Sequence, residues 1–119
     1  AFRPFAPSII EEYVSEYFDI DITSPYMLLV VPVKKPEKIP AVTHVDGTGR
    51  LQTVSKDTNT LFYDLINEFY KITDVPVLVN TSMNVRGEPI VNTLEQAYNM
   101  IIKTDMDYIV LGNHIVKKQ

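Results

Sequence analysis

The stretch DVPVLVNTSMNVRGEPIV, residues Asp74 to Val91, decides the fold. It opens with an apolar, β-branched run from Val75 to Val79 that is too short for most helices and is typical of a buried strand. The run stops at a cluster of small polar residues. A buried strand that delivers hydroxyls, amides and a guanidinium to its carboxyl end is the usual layout of a ligand site in an open α/β sheet. The alternative is a polar turn between two strands, in which Asn and Gly serve turn geometry alone.

Composition narrows the class of protein. A chain of 119 residues with 45% hydrophobic residues has room for the core of one domain. Its 15 acidic and 11 basic residues give a net charge of −4 and a pI of about 5.0, which disfavours a nucleic-acid partner. The chain has no cysteine, and its two histidines, His44 and His114, lack metal-binding spacing. With no signal peptide and no apolar run of membrane-spanning length, we expect a soluble, cytoplasmic protein without a membrane partner. The missing initiator Met indicates a truncated chain.

A helix is predicted near the amino terminus. The segment Phe2 to Pro7 holds two prolines and should be extended. Ser8 and Glu11 have the spacing of a capping box, so the helix should run from about Ile9 to Tyr17. Apolar residues at helical spacing should form its core face: Ile9, Ile10, Tyr13, Val14, Tyr17 and Phe18.

A second helix is predicted over Thr60 to Lys71, after a cap at Thr58 or Asn59. Its apolar stripe, aromatic residues included, should belong to the core rather than to a cofactor site: Leu61, Phe62, Leu65, Ile66, Phe69 and Ile72.

A third helix and a hairpin are predicted at the carboxyl end. Thr93 and Gln96 form a second capping box, and the helix that follows should run to about Lys103. The closing hairpin should pair 108–111 with 114–117 around the turn dipeptide Gly112-Asn113.

Two stretches before the second helix predict strands. The apolar run from Tyr26 to Val33 should be a strand that ends near Pro32. The segment Ala41 to Val54 alternates apolar and polar residues, turns at Asp46-Gly47, and returns from Leu51 to Val54, which indicates a hairpin. Its polar tip either lies in water or places Thr48, Gly49 and Arg50 against an anion.

The predicted order is helix, strand, hairpin, helix, strand, helix and hairpin. This order indicates an α/β fold that borders on α+β, with a twisted mixed sheet flanked by helices.

Four segments resemble one family: FRPFAPSI at 2–9, the SPYM and IPAVTHVDGTGRLQTV region at 24–54, VPVLVNTSMNVRGEPIV at 75–91, and DYIVLG at 107–112. They are similar to the C-terminal domain of the O-carbamoyltransferases of nodulation-factor and antibiotic biosynthesis. The resemblance covers nearly the whole chain, 1–119, in order. It implies a YrdC-like fold whose sheet is incomplete in this chain, and an N-terminal ASKHA-type domain outside it.

The resemblance also implies a two-step reaction. The YrdC-like domain would join carbamoyl phosphate to ATP, with Mg²⁺ as the expected companion of ATP, and would form carbamoyl adenylate with release of pyrophosphate. The N-terminal domain would then pass the carbamoyl group to an acceptor hydroxyl, using a metal bound in that domain. The implied partners are these small-molecule substrates and the N-terminal domain of the same polypeptide, and a homodimer is a further option.

Motif matching implies roles for individual residues. Arg3 and Arg50 would be the catalytic groups that hold phosphate and carbamoyl, and Ser82 would contact the adenylate. Such chemistry needs fixed guanidinium groups and hydrogen-bond donors more than acids or bases. Proximity to the nucleotide and substrate is inferred for four further residues: Asn80, Thr81, Arg86 and His44. Two alternatives stay open, since Arg86 could pair with Glu88 to fix the loop and His44 could be structural.

Departures from the family pattern are modest within the chain. Met83 stands where an aromatic residue is usual, Gly49 where Ala is common, and Leu94 where Pro is common. A family lysine shortly before Arg3 is missing from the chain. Two other functions remain as alternatives, namely a non-catalytic nucleotide- or RNA-binding module and a structural, self-associating domain.

Overall fold

The structure is a computed structural model that describes residues 5–83 and 87–118. Contacts group the chain into two compact units, Ala1–Thr81 and Ser82–Gln119. Both units combine helix and strand, and the mixed sheet confirms the predicted α/β class. No helix in the described ranges combines the length and the apolar character needed to cross a membrane.

The first unit is built on a mixed sheet. Its described strands are β1 (Ala6–Ile10), β2 (Leu29–Pro32), β3 (Thr48–Val54) and β4 (Val77–Asn80), and their spatial order is β2-β3-β1-β4. Strand β1 runs parallel to β3, whereas β1–β4 and β2–β3 are antiparallel. The predicted strand at Tyr26 to Val33 is thus confirmed in its second half. Pro32 is tolerated there because β2 is an edge strand.

Each face of this sheet has its own core. One face carries the larger cluster, in which Ile9, Leu51 and Phe18 are fully buried. The other face is covered at one end by helix α2 (Thr60–Thr73), whose Ile66 packs against Ile10 and Val54. Burial of these side chains is the dominant stabilising term of the unit.

Helix α2 begins and ends largely as predicted, but its apolar stripe is only partly core. Ile66 is buried, whereas Leu61 and Ile72 are 85% and 84% exposed. Asn59 occupies the N-cap position without a side-chain cap hydrogen bond. The helix stops because Asp74 adopts a left-handed conformation, φ 62°, and donates its N–H to the Tyr70 carbonyl.

The predicted amino-terminal helix, Ile9 to Tyr17, is wrong at its start and confirmed only in its second half and its end at Tyr17. Residues Ala6–Ile10 form a central strand, followed by a 3₁₀ turn over Glu11–Tyr13 and the short helix α1 (Val14–Tyr17). Ile9 and Ile10 are both buried because each face of β1 is covered, and this two-sided burial mimics a helical apolar stripe. The hydroxyl of Ser8 bonds to a side chain in β3 and does not cap a helix.

The predicted hairpin at Ala41 to Val54 is half right. Its second arm is β3, which begins at Thr48, but its first arm is a 3₁₀ turn over Pro40–Val42. The antiparallel partner of β3 is β2 instead. The predicted turn at Asp46-Gly47 is confirmed, with Gly47 at φ 83° and its N–H donated to the His44 carbonyl.

The second unit follows its sequence signals closely. Helix α3 spans Leu94–Lys103, and the hydroxyl of Thr93 accepts the N–H of Gln96 at 3.1 Å. Gln96 returns its side chain to the N–H of Asn92, one residue before the cap. Strands β5 (Tyr108–Leu111) and β6 (His114–Lys117) pair antiparallel as predicted. Ala97, Ile101 and Ile109 form the core of this unit.

Candidate functional site

A row of polar side chains lies on the face of the first unit's sheet that α2 covers at one end. In β3 the side chains alternate, so Arg50 and Gln52 lie on the same face. Ser8 is the direct partner of Gln52 in β1, and Asn80 pairs with Ala6, two residues before Ser8. Three strands therefore contribute to one polar row.

Gln52 is the centre of this row. Its side-chain oxygen accepts hydrogen bonds from the Ser8 hydroxyl at 2.6 Å and from the Asn80 amide at 2.7 Å. Ser8 is fully buried, so its hydroxyl needs an acceptor, and Gln52 supplies one. The shared oxygen fixes the orientation of the Asn80 side chain. The side-chain carbonyl oxygen of Asn80 then has no hydrogen-bond donor among the described residues.

A turn over 24–27 forms the rim of the row. Ser24 and Thr53 anchor it through two hydrogen bonds, one from the Ser24 N–H to the Thr53 hydroxyl at 2.8 Å and one from the Thr53 N–H to the Ser24 carbonyl at 2.9 Å. The Gln52 amide donates to the Pro25 carbonyl at 3.4 Å. Met27 has φ 58°, a conformation that a side chain of this size seldom adopts, and its sulfur lies 3.5 Å from the Asn80 amide nitrogen. Backbone strain of this kind concentrates at binding sites.

Arg50 is the charged member of the row. It is exposed, and its backbone pairs with Val30 of the edge strand β2. Within residues 5–83 and 87–118, no hydrogen bond or ion pair engages its guanidinium. A cation on a rigid strand, next to a fixed amide network and without an acidic partner in the described part of the chain, is suited to an anionic ligand.

The turn before Arg50 has a structural role. Asp46 accepts hydrogen bonds from the Thr48 hydroxyl at 2.6 Å and from the Thr48 N–H at 3.1 Å, and these bonds lower the pKa of the Asp46 carboxyl below its ordinary value. The Thr48 hydroxyl proton is thereby occupied. Gly49 is buried, with the Val42 carbonyl oxygen 3.1 Å from the position that a Cβ would take. Of the three residues predicted to face an anion, the structure leaves Arg50 available and gives Thr48 and Gly49 to the turn.

The other predicted site residues have different outcomes. Asn80 belongs to the row, and Thr81 follows it, exposed, at the carboxyl end of β4. His44 is half-buried, and its backbone closes the turn by donating to the Thr48 carbonyl at 2.6 Å. Ser82 is exposed and begins the second unit. Arg3 and Arg86 lie outside the described residues, so the convergence of Arg3, Arg50 and Ser82 on one ligand stays a prediction.

Sequence reasoning missed Ser8, Gln52 and Met27. The signal for Gln52 was present, because Thr48, Arg50 and Gln52 alternate with the less polar Gly49 and Leu51 along β3. Ser8 carried a misleading capping-box spacing. Met27 carried no signal, because nothing local in the sequence requires a positive φ at that position.

The described residues offer no cluster of metal-binding side chains. In the ranges that the structure describes, no group of three or more His, Cys, Asp or Glu side chains is arranged to hold a metal ion.

Comparison with known proteins identifies the family. The carbamoyltransferase C-terminus family matches residues 1–118. Nodulation protein NolO of Bradyrhizobium diazoefficiens is 47% identical over the whole chain, and nodulation protein NolNO of Sinorhizobium fredii is 45% identical over 99% of it. An uncharacterized protein of Synechocystis sp. is 46% identical over 99% of the chain.

The matched region is a small part of these relatives. This chain spans 23% of the NolO protein, 18% of the NolNO protein and 23% of the Synechocystis protein. Its role is accordingly that of one part of a carbamoyltransferase-related protein. On the family match over residues 1–118 and these identities, the chain belongs to the carbamoyltransferase C-terminus family.

Proposed function

We propose that this chain is the adenylate-forming part of a carbamoyltransferase. It would bind ATP and a carbamoyl donor on the polar row of Ser8, Arg50, Gln52 and Asn80, and form carbamoyl adenylate for transfer to an acceptor hydroxyl. One observation carries the proposal: the Arg50 guanidinium is exposed and without a partner in the described ranges, beside an amide network fixed by Gln52. Membership of the carbamoyltransferase family supplies the reaction class.

The proposed reaction develops negative charge that the site must stabilise. Water first hydrolyses carbamoyl phosphate, which gives carbamate and inorganic phosphate. A carbamate oxygen then attacks the α-phosphorus of ATP, an O–P bond forms, and pyrophosphate leaves. Negative charge grows on phosphate oxygens in this step, so a preorganised cation lowers the barrier more than a proton-transfer group would. Arg50 is the described residue of the row that can meet this charge.

The amide network would position the ligand rather than react. With its N–H groups directed at Gln52 and Met27, Asn80 is left with a carbonyl oxygen that can accept a hydrogen bond. A carbamoyl amide or a ribose hydroxyl provides a donor for this oxygen. Because Gln52, which also accepts from Ser8, holds the Asn80 amide from the buried side, the Asn80 acceptor keeps its orientation before the ligand arrives, which reduces the entropy lost on binding.

The test is carbamoyl-phosphate-dependent release of pyrophosphate from ATP by the full-length protein. Arg50→Ala should lower the rate by about 10²-fold, the range found when one charge-stabilising donor is removed from an active site. Arg50→Lys should restore part of the rate, because it keeps the charge but loses the two-pronged geometry. Lys71→Ala is the matched control, since it removes an exposed cation of the same unit that pairs with Glu68 on α2.

Two results would reject the proposal. Equal loss in Arg50→Ala and Lys71→Ala would reduce Arg50 to a general contribution of charge. An unchanged rate in Arg50→Ala would remove it from the reaction. ATP binding that depends on Arg50 without any pyrophosphate release, in the full-length protein, would favour a non-catalytic nucleotide-binding module.

A further inference from the structure

The turn before β3 contains the one aspartate of the sequence that a glycine follows, Asp46-Gly47. Asp46 is exposed, and Gly47 is half-buried with φ 83°. A glycine in the second position places no Cβ beside the peptide nitrogen, so this nitrogen can approach the preceding carboxyl group closely. Aspartate followed by glycine is for this reason the pair at which a polypeptide isomerises most readily. The function proposed above assigns no role to Asp46-Gly47.

The isomerisation needs no co-reactant other than water. The Gly47 nitrogen attacks Asp46 Cγ, and a C–N bond forms. The carboxyl O–H leaves together with the Gly47 N–H proton as water, which gives a succinimide ring. Water then opens the ring by breaking the bond between the main-chain carbonyl carbon of Asp46 and the Gly47 nitrogen. The backbone now runs through the Asp46 Cβ, so it is longer by one methylene while the composition is unchanged.

Hydrogen bonds within the turn oppose two requirements of this attack. The nitrogen must be free, but the Gly47 N–H is donated to the His44 carbonyl at 2.9 Å. The carboxyl group must be protonated so that water can leave, but Asp46 accepts the Thr48 hydroxyl at 2.6 Å and the Thr48 N–H at 3.1 Å. These two bonds stabilise the carboxylate and lower the pKa of the Asp46 carboxyl, and the charge of His44 acts in the same direction. They also restrict rotation of the Asp46 side chain.

Isomerisation would disturb the start of the strand that carries Arg50. His44 closes the turn twice, because its N–H is donated to the Thr48 carbonyl at 2.6 Å and its carbonyl accepts the Gly47 N–H. A methylene inserted between Asp46 and Gly47 lies inside this closed loop, so the turn cannot keep both bonds unchanged. Protection of Asp46 therefore preserves the local geometry at Thr48, the first residue of β3.

We propose that Asp46-Gly47 is a site of aspartyl isomerisation and that the Thr48 hydroxyl is the positioning group that slows the reaction. The Thr48 hydroxyl and N–H engage the same carboxylate oxygen, Oδ1, and the hydroxyl is the donor that a side-chain substitution removes. Valine keeps the branched shape of threonine but has no group to donate. The proposal concerns a modification of the turn and does not depend on the proposed reaction.

The test measures isoaspartate at position 46 in the full-length protein, held at about pH 5 and about 37 °C so that part of the carboxyl is protonated. Trypsin releases residues 39–50 as one peptide, in which electron-transfer fragmentation distinguishes isoaspartate from aspartate. Thr48→Val should accumulate isoaspartate about threefold to tenfold faster than wild type, the factor that corresponds to the loss of one hydrogen bond. Thr48→Ser keeps the hydroxyl and should stay close to wild type.

Thr60→Val is the matched control. It removes a threonine hydroxyl elsewhere in the same unit, which donates to the Lys56 carbonyl at 2.6 Å, and leaves Asp46 untouched. Isoaspartate should accumulate in this variant at the wild-type rate. Equal rates in Thr48→Val and wild type would overturn the proposal. The same acceleration in Thr60→Val as in Thr48→Val would also overturn it, because general loosening of the unit would then be the cause.

A synthetic peptide of residues 39–50 provides a reference that needs no folded variant. The peptide lacks the folded turn, so it should isomerise at least about tenfold faster than wild-type protein under the same conditions. Equal rates in the peptide and the wild-type protein would overturn the proposal even if Thr48→Val failed to fold.

Discussion

The two faces of the first unit's sheet differ in what they contribute. On one face Ile9, Leu51 and Val77 join a buried apolar cluster that also takes in Phe18. On the other, α2 covers one end and leaves a row of polar residues around Gln52 beyond it. Leu51 and Gln52 are therefore neighbours in β3 but lie on opposite faces, one in the apolar core and the other in the polar row. The apolar face holds the fold together, and the polar face is where we propose that a ligand binds.

Hydrogen bonding explains why a row of polar side chains beside a core does not destabilise the fold. Ser8 is fully buried, yet its hydroxyl has a partner, so burial carries no unsatisfied group. Among the described residues that are not exposed, no fully buried side-chain nitrogen or oxygen lacks a hydrogen bond. A row satisfied from within can keep its outward groups, such as the Arg50 guanidinium, for a ligand.

The largest expected effect is on the apolar face. Leu51→Ala should lower the free energy of unfolding by about 2–5 kcal/mol, because it removes a fully buried side chain and leaves a cavity. Urea unfolding of the purified protein measures this loss. A loss smaller than that of Gln52→Ala, its neighbour on the polar face, would contradict the division of roles between the two faces.

Gln52 should show an intermediate effect. Gln52→Ala leaves the buried Ser8 hydroxyl without its acceptor and should lower stability by about 1–3 kcal/mol. Gln52→Glu keeps an acceptor for Ser8 and Asn80, so its loss of stability should be smaller. The new carboxylate lies on the same face as Arg50 and repels phosphate, so binding of ATP should weaken even though stability is largely kept. Calorimetry on the full-length protein would refute this if Gln52→Glu bound ATP as well as wild type.

Gly47 and Gly49, the two glycines that flank Thr48, should separate the effect of backbone strain from that of packing. Gly47 has φ 83° with open space around it, so Gly47→Ala should destabilise by about 1–2 kcal/mol through backbone strain. Gly49 has no positive φ, and the 3.1 Å approach to the Val42 carbonyl is partly offset by the lower entropy of an unfolded chain with Ala. Gly49→Ala should therefore change stability by less than about 1 kcal/mol. Thermal melts that reverse this order would refute the packing described for Gly49.

The smallest expected effect is on the dependence of stability on acidic pH. Hydrogen bonds from Thr48 lower the pKa of Asp46 below 3.8, so the contribution of this carboxylate is present above that pH and is lost as the pH falls through the lowered value. Asp46→Asn keeps an acceptor but does not titrate. Its melting temperature should fall less steeply below about pH 4 than that of wild type. Parallel slopes would show that Asp46 contributes nothing to acid sensitivity.

Much of the second unit could be predicted because its signals are local. The Thr93 cap and the Gly112-Asn113 turn each act within a few residues, and both are confirmed. The first unit depends on pairings between distant segments. Ser8 satisfied a local capping rule, but its partner is 44 residues away, and β3 pairs with β2 rather than with the segment just before it.

The candidate site could be predicted in part for the same reason. Arg50 and Asn80 stood out by residue type and by position next to a turn or at a strand end. Gln52 acquires its role only when β1, β3 and β4 come together, which the local sequence does not specify.

The central claim is that the polar face binds the phosphates of ATP through Arg50. A crystal structure of the full-length protein with a non-hydrolysable ATP analogue tests it most directly. The expected result is a phosphate oxygen within about 3 Å of the Arg50 guanidinium, with Asn80 in contact with the ligand. Phosphates bound elsewhere, with the Arg50 side chain still in solvent, would contradict the account.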